Sequence, residues 1–213
     1  MMPGHSHCLP LQLLRGLPAL AFLFVLMTIT FETSRAATSC SNRGHVVKQT
    51  ANLARHLKEK TQELQKLYIA SQGDFHESFC QSRVNNLPDT TIAGNTPWEK
   101  LQSLYTTLNV FYRHLGTVKE QQEQLQEPSN PLLHKLGDAQ AHTSNLAGNV
   151  QEILQCLEPN EPVSEPSGGP TRAPARNIFQ QKVYGCAVLI RYREFLGQAT
   201  FVVKEVKRHL GQR

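Results

Sequence analysis

The chain has 213 residues, 39% hydrophobic and 18% charged, enough apolar material for a core and far from the compositions that stay disordered. The formal charge of +5 is mild, and the fifteen aromatic residues do not interleave with a basic stripe, so the features of a nucleic-acid reader are missing. No CxxC pair of the zinc-site kind occurs, and no Asn-x-Ser/Thr acceptor, since Asn95-Thr96-Pro97 lacks a hydroxyl at the third position.

The first stretch carries Arg15, an apolar run over residues 17–29, and then Ser34-Arg35-Ala36-Ala37. Charged, apolar and small residues in that order mark a secretory signal. The strictly apolar core, residues 19–27, falls short of the roughly 18 to 20 residues that span a bilayer, which argues against a membrane anchor. The expected division is therefore residues 1–36 as signal peptide and 37–213 as one extracellular domain. Cleavage would remove Arg15, Glu32, Arg35 and Cys8, taking the charge to +4 and leaving Cys40, Cys80, Cys156 and Cys186. Four cysteines in an exported chain imply two disulfides, with three connectivities open.

Four segments then show apolar positions recurring at three- and four-residue steps, the pattern of amphipathic helices. The first spans residues 45–71, with Val46, Leu53, Leu57, Leu64 and Leu67 on its stripe. Gly73 follows it where a helix-ending glycine belongs. The second spans 98–126, with Leu101, Leu104, Leu108, Phe111, Leu115, Val118 and Leu125 in register. The third spans 131–157, on Leu132, Leu136, Ala139, Leu146, Val150, Ile153 and Leu157. The fourth covers 177–210, on Val183, Cys186, Leu189, Leu196, Ala199, Val203, Val206 and Leu210. Thr96-Pro97 and Asn130-Pro131 each place a capping side chain before a first-turn proline. In the fourth segment Thr200-Phe201-Val202-Val203 favours strand locally, but helical period should prevail.

Loop lengths set the topology. About five residues join the second and third segments, which suits antiparallel neighbours. The other two connections run to about 25 and 20 residues, long enough to return along a helix. The expectation is an all-α, long-chain four-helix bundle with up-up-down-down topology and two long crossover loops. The later crossover, residues 158–174, holds five prolines and a glycine pair, the composition of an extended or mobile linker.

No Gly-x-Ser-x-Gly, His-Glu-x-x-His or phosphate-binding glycine loop is present, so neither catalysis nor a cofactor is expected. The histidines are scattered, and Cys80 beside His76 is better used in a disulfide than as a metal ligand. The cluster Lys204, Lys207, Arg208 and Arg213 could hold acidic matrix glycans weakly, but a solvated helix face is the favoured reading. A secreted lipid binder of amphipathic helices is the rival reading.

Three short stretches resemble the leukaemia inhibitory factor and oncostatin M branch of the interleukin-6 cytokine family. They are Tyr68-Ile-Ala-Ser-Gln72-Gly73; Leu133-His134-Lys135-Leu136 with Asn149-Val150 and Cys156; and Ile178-Phe179-Gln180-Gln181-Lys182-Val183-Tyr184-Gly185-Cys186. The last is similar to the Phe-x-x-Lys motif by which that branch engages the leukaemia inhibitory factor receptor, so the resemblance implies that Phe179 and Lys182 form a receptor contact. It further implies a surface for glycoprotein 130, the shared signalling chain, on the first and third helices, where Gln49, Asn52 and His56 lie off one stripe and Asn145 and Asn149 flank the other. The resemblance also implies the pairings Cys40–Cys156 and Cys80–Cys186. The third bridge of leukaemia inhibitory factor has no cysteines here. The protein would be a non-catalytic secreted ligand, monomeric when free, that joins two receptor chains.

Overall fold

The structure is a computed structural model that describes residues 42–81, 84–85, 87–163 and 177–211. The expected signal over residues 1–36, Cys40 and Arg213 lie outside the described residues. Four long helices make up the described part: α1, Arg43–Ala70; α2, Pro97–Glu123; α3, Pro131–Leu157; and α4, Ile178–Gly211. A 3-10 helix, Glu77–Gln81, lies in the first crossover.

Local chemistry sets the helix ends. At α2 the Thr96 hydroxyl accepts the Glu99 N–H at 3.1 Å, and the Glu99 carboxylate accepts the N–H groups of Asn95 at 2.7 Å and Thr96 at 3.1 Å. This reciprocal box satisfies donors that the first turn otherwise leaves free. At α3 the Asn130 side chain accepts the Leu132 N–H at 2.9 Å, with Pro131 in the first turn. At α4 Asn177 accepts the Gln180 N–H at 2.8 Å. Beyond α1, Gly73 has φ +70°, the left-handed conformation that glycine adopts without a Cβ penalty.

α1 packs against α3 and α4, and so does α2. Cross-helix contacts give the directions. The end of α1 meets the start of α4 through Tyr68 and Lys182, and the start of α2 meets the end of α4 through Lys100 and Glu205. Gln72 and Gln122 place the ends of α1 and α2 together. Packed neighbours are thus antiparallel and α1 runs parallel to α2, the up-up-down-down arrangement. With 34 residues, α4 is about 50 Å long at 1.5 Å per residue.

The interior is a continuous apolar core in which Phe111 stacks on Phe195 at 5.0 Å and lies 5.2 Å from Tyr192. The stripes of α2 and α3 are buried as read, except that Leu125 follows the end of α2 and, like Leu157, is only partly covered. The stripe of α1 needs correction. Leu57 and Leu64 are buried, whereas Val46, Leu53 and Leu67 are only half-covered, and Val47, Thr50, Ala54, Thr61, Gln65 and Tyr68 fill the core side. Two of those polar residues satisfy themselves within the helix: Thr50 donates to the Val46 carbonyl and Thr61 to that of Leu57, both at 2.7 Å. In α4 the strand-prone run is helical, with Phe201 outside and Val202 and Val203 inside. Among the described residues no helix is long and apolar enough to cross a membrane.

Candidate functional site

The chain turns at Gly73 and lays the first crossover back against the start of α4. Phe75 is buried, Phe79 half-buried, and the 3-10 helix carries Cys80 inward. Cys80 is bonded to Cys186, with Cα atoms 5.3 Å apart, so crossover and helix are covalently tied two turns beyond Phe179. The Phe179 ring meets that of Phe79 edge-on at 5.3 Å and lies 6.3 Å from Phe75; Phe75 and Phe79 are 5.6 Å apart. Phe179 nevertheless keeps 51% of its surface exposed, next to Ile178 at 58%. Such an aromatic anchor, backed by others and open on one side, has the form of an interface hot spot.

Lys182 lies three residues on, hence on the same helix face as Phe179. Its ammonium donates to the Gln72 carbonyl at 2.6 Å, in the turn that follows α1. A lysine has three N–H donors, so this bond holds the cation beside Phe179 with donors to spare. His76 packs edge-on against Phe79 at 5.8 Å, and Cys80 is oxidised. No group of residues suited to holding a metal exists among the described residues.

Gln49, Asn52 and His56 are exposed on α1, where Asn52 accepts from Arg55 at 3.2 Å. On α3, Asn145 is exposed and Asn149 half-buried. A cleft of about 260 Å³ separates the two helices; Leu57, Leu64, Leu67 and Ala139 line it, and His56, Lys135 and His142 stand at its rim. The antiparallel register that sets His56 against His142 brings Asn52 level with Asn145 and Gln49 level with Asn149. These five residues therefore share one broad face, while Phe179 and Lys182 belong to the end of the bundle where α1 stops and α4 begins.

Phe75 and Phe79 were not legible as part of the site. The only available signal was their position between Gly73 and Cys80, and a sequence cannot say which helix a crossover lies against until the disulfide partner is known. Cys156 is also disulfide-bonded, but the expected partner Cys40 lies outside the described residues.

Four long antiparallel-packed helices, two long crossovers and a disulfide between crossover and bundle define a long-chain helical cytokine. The match to the LIF / OSM family over residues 45–203 identifies the chain as a member of that family. Human oncostatin-M is similar to it, at 26% identity over 193 residues, covering 83% of this chain and 76% of that protein. Members of the family are secreted, non-enzymatic ligands of cytokine receptors. With the apolar stripes closed into one core and family membership established, the lipid-binding rival falls away.

Proposed function

We propose that this chain is a secreted ligand that joins two receptor chains: a leukaemia inhibitory factor receptor-like chain through Phe179 and Lys182, and a glycoprotein 130-like chain through the α1–α3 face. Residues 1–36 act as the export signal, residues 37–213 are the ligand, and the free ligand is monomeric. Bound to two faces of one rigid body, the receptor chains meet because each is held at a high effective concentration near the other. The observation that carries this reading is Phe179, half exposed on a base of Phe75 and Phe79 that the Cys80–Cys186 bond fastens to α4.

Binding of the refolded chain to each immobilised receptor ectodomain, beside the double variant Phe179→Ala/Lys182→Ala, tests it. Wild type should bind both ectodomains, and the variant should lose the first while keeping glycoprotein 130. Wild type binding neither would remove the assignment of partners, and a variant that keeps the first would remove the site.

A further inference from the structure

Two of the stretches singled out in the sequence, the end of α1 and the start of α4, meet inside the bundle through polar atoms. Tyr68 is fully buried. Its hydroxyl donates toward the backbone carbonyls of Lys182, at 3.1 Å, and Gln181, at 3.5 Å, and accepts from the side chain of Gln122 at 3.2 Å. Gln122, fully buried on α2, accepts in turn from Gln72 at 2.8 Å and Gln126 at 3.2 Å. Gln72 also donates to the Tyr68 carbonyl at 3.1 Å. The Lys182 ammonium on the Gln72 carbonyl closes the ring of contacts.

A phenylalanine would fill the same space as Tyr68, so packing does not call for the hydroxyl. A buried hydroxyl is unfavourable unless it is bonded, and burial holds this phenol protonated by raising its pKa, which keeps it a donor. The carbonyls it reaches belong to the first turns of α4, and a carbonyl with two lone pairs can take a second donor without leaving the helix ladder. The approach is possible because residue 185 is glycine. A Cβ there would stand 2.6 Å from the ring carbon that bears the hydroxyl, and closer still to the oxygen.

We infer that Tyr68, seated on Gly185, is a positioning residue for the receptor contact: its hydroxyl fixes the height and rotation of the first turns of α4, and so the presentation of Phe179 and Lys182. The inference rests on the function proposed above. It gives Lys182 two attachments, through its carbonyl to Tyr68 and through its ammonium to Gln72, so the cation reaches the receptor already oriented. Less ordering is then needed on binding.

The test compares wild type with Tyr68→Phe, Tyr68→Leu, Gly185→Ala and the double variant Tyr68→Leu/Gly185→Ala. Two quantities are read: affinity for each receptor ectodomain, and amide hydrogen exchange along α4. Tyr68→Phe should weaken binding to the leukaemia inhibitory factor receptor-like chain roughly 3- to 10-fold, the span of one net hydrogen bond. It should leave glycoprotein 130 within about 2-fold and speed exchange only in the first turns of α4. Gly185→Ala should weaken the same receptor by about 10-fold or more. In the Tyr68→Leu background it should add less than about 2-fold, because the two positions are coupled. Equal effects of Gly185→Ala with and without Tyr68, or a Tyr68→Phe chain that binds and exchanges like wild type, would overturn the inference. Should Gly185→Ala fail to fold, the isosteric Tyr68→Phe decides alone. Should wild type not bind the first receptor, the proposed function fails, while the exchange measurement still decides whether Tyr68 positions α4.

Discussion

The two surfaces proposed for receptor chains are built on different plans. At the start of α4 a few side chains act together: Phe179 rests on Phe79 and Phe75, a disulfide ties the crossover to the helix, and Lys182 is bonded to the end of α1. On the α1–α3 face Gln49, Asn52, His56 and Asn145 stand out singly from helices whose positions the core fixes. The first is a preorganised spot that depends on its supports, and the second a broad surface that depends on its backbone. Damage to a support should therefore act strongly and on one partner at the first surface, and weakly at the second.

The largest expected effect comes from the disulfide. Cys80→Ala/Cys186→Ala opens a loop of 106 residues and should lower stability by about 3 to 5 kcal/mol in chemical denaturation. Surviving folded protein should lose far more affinity for the leukaemia inhibitory factor receptor-like chain than for glycoprotein 130; parallel losses would show that the two surfaces share their support. Next comes Phe79→Ala, which removes the nearer of the two rings under Phe179 without altering any α4 residue. It should reduce binding of the first receptor by about 1 to 2 kcal/mol and leave the second unchanged by surface plasmon resonance. Gln49→Ala and Asn149→Ala should each take less than about 1 kcal/mol from glycoprotein 130 binding and combine additively. A single dominant residue on that face would break the contrast.

The smallest effect belongs to the end of the bundle remote from Phe179. Backbone N–H groups of Asn95 and Thr96 hold the Glu99 carboxyl below its usual 4.5, and Lys100 does the same for Glu205. Carboxylates lowered by folding stabilise above the unfolded pKa and lose that contribution as pH falls through the folded one. Melting temperature should thus slip modestly below about pH 4.5, both groups being exposed and screened. In Glu99→Gln/Lys100→Met the slip should be shallower. Receptor selectivity, by contrast, should not follow these substitutions.

Most of the fold was legible because helix periodicity and caps are local signals. Thr96-Pro97 and Asn130-Pro131 placed two helix starts within one residue, and loop lengths alone ordered the four helices. The core side of α1 was not legible. It is lined in part by Thr50, Thr61 and Gln65, whose type suggests surface; the two threonines can be buried because each hydroxyl bonds back to a carbonyl of its own helix. Phe179 and Lys182 stood out only through resemblance, since exposure and support are tertiary facts. Gly185 likewise reads as a mere helix weakener until Tyr68 is found against it.

The run Thr200-Phe201-Val202-Val203 lies in the helix with Val202 and Val203 inside and Phe201 73% exposed. Released from the bundle, it would be a short, uncharged, β-prone segment of the kind that seeds cross-β association. Two things stand guard over it: the Lys100–Glu205 bridge, which clips the end of α4 to the start of α2, and exposed Lys204, which sets a charge at its border. Unwinding of this helix end back past Glu205 thus bears on shelf life and concentration limits, because it would free a segment able to recruit another copy.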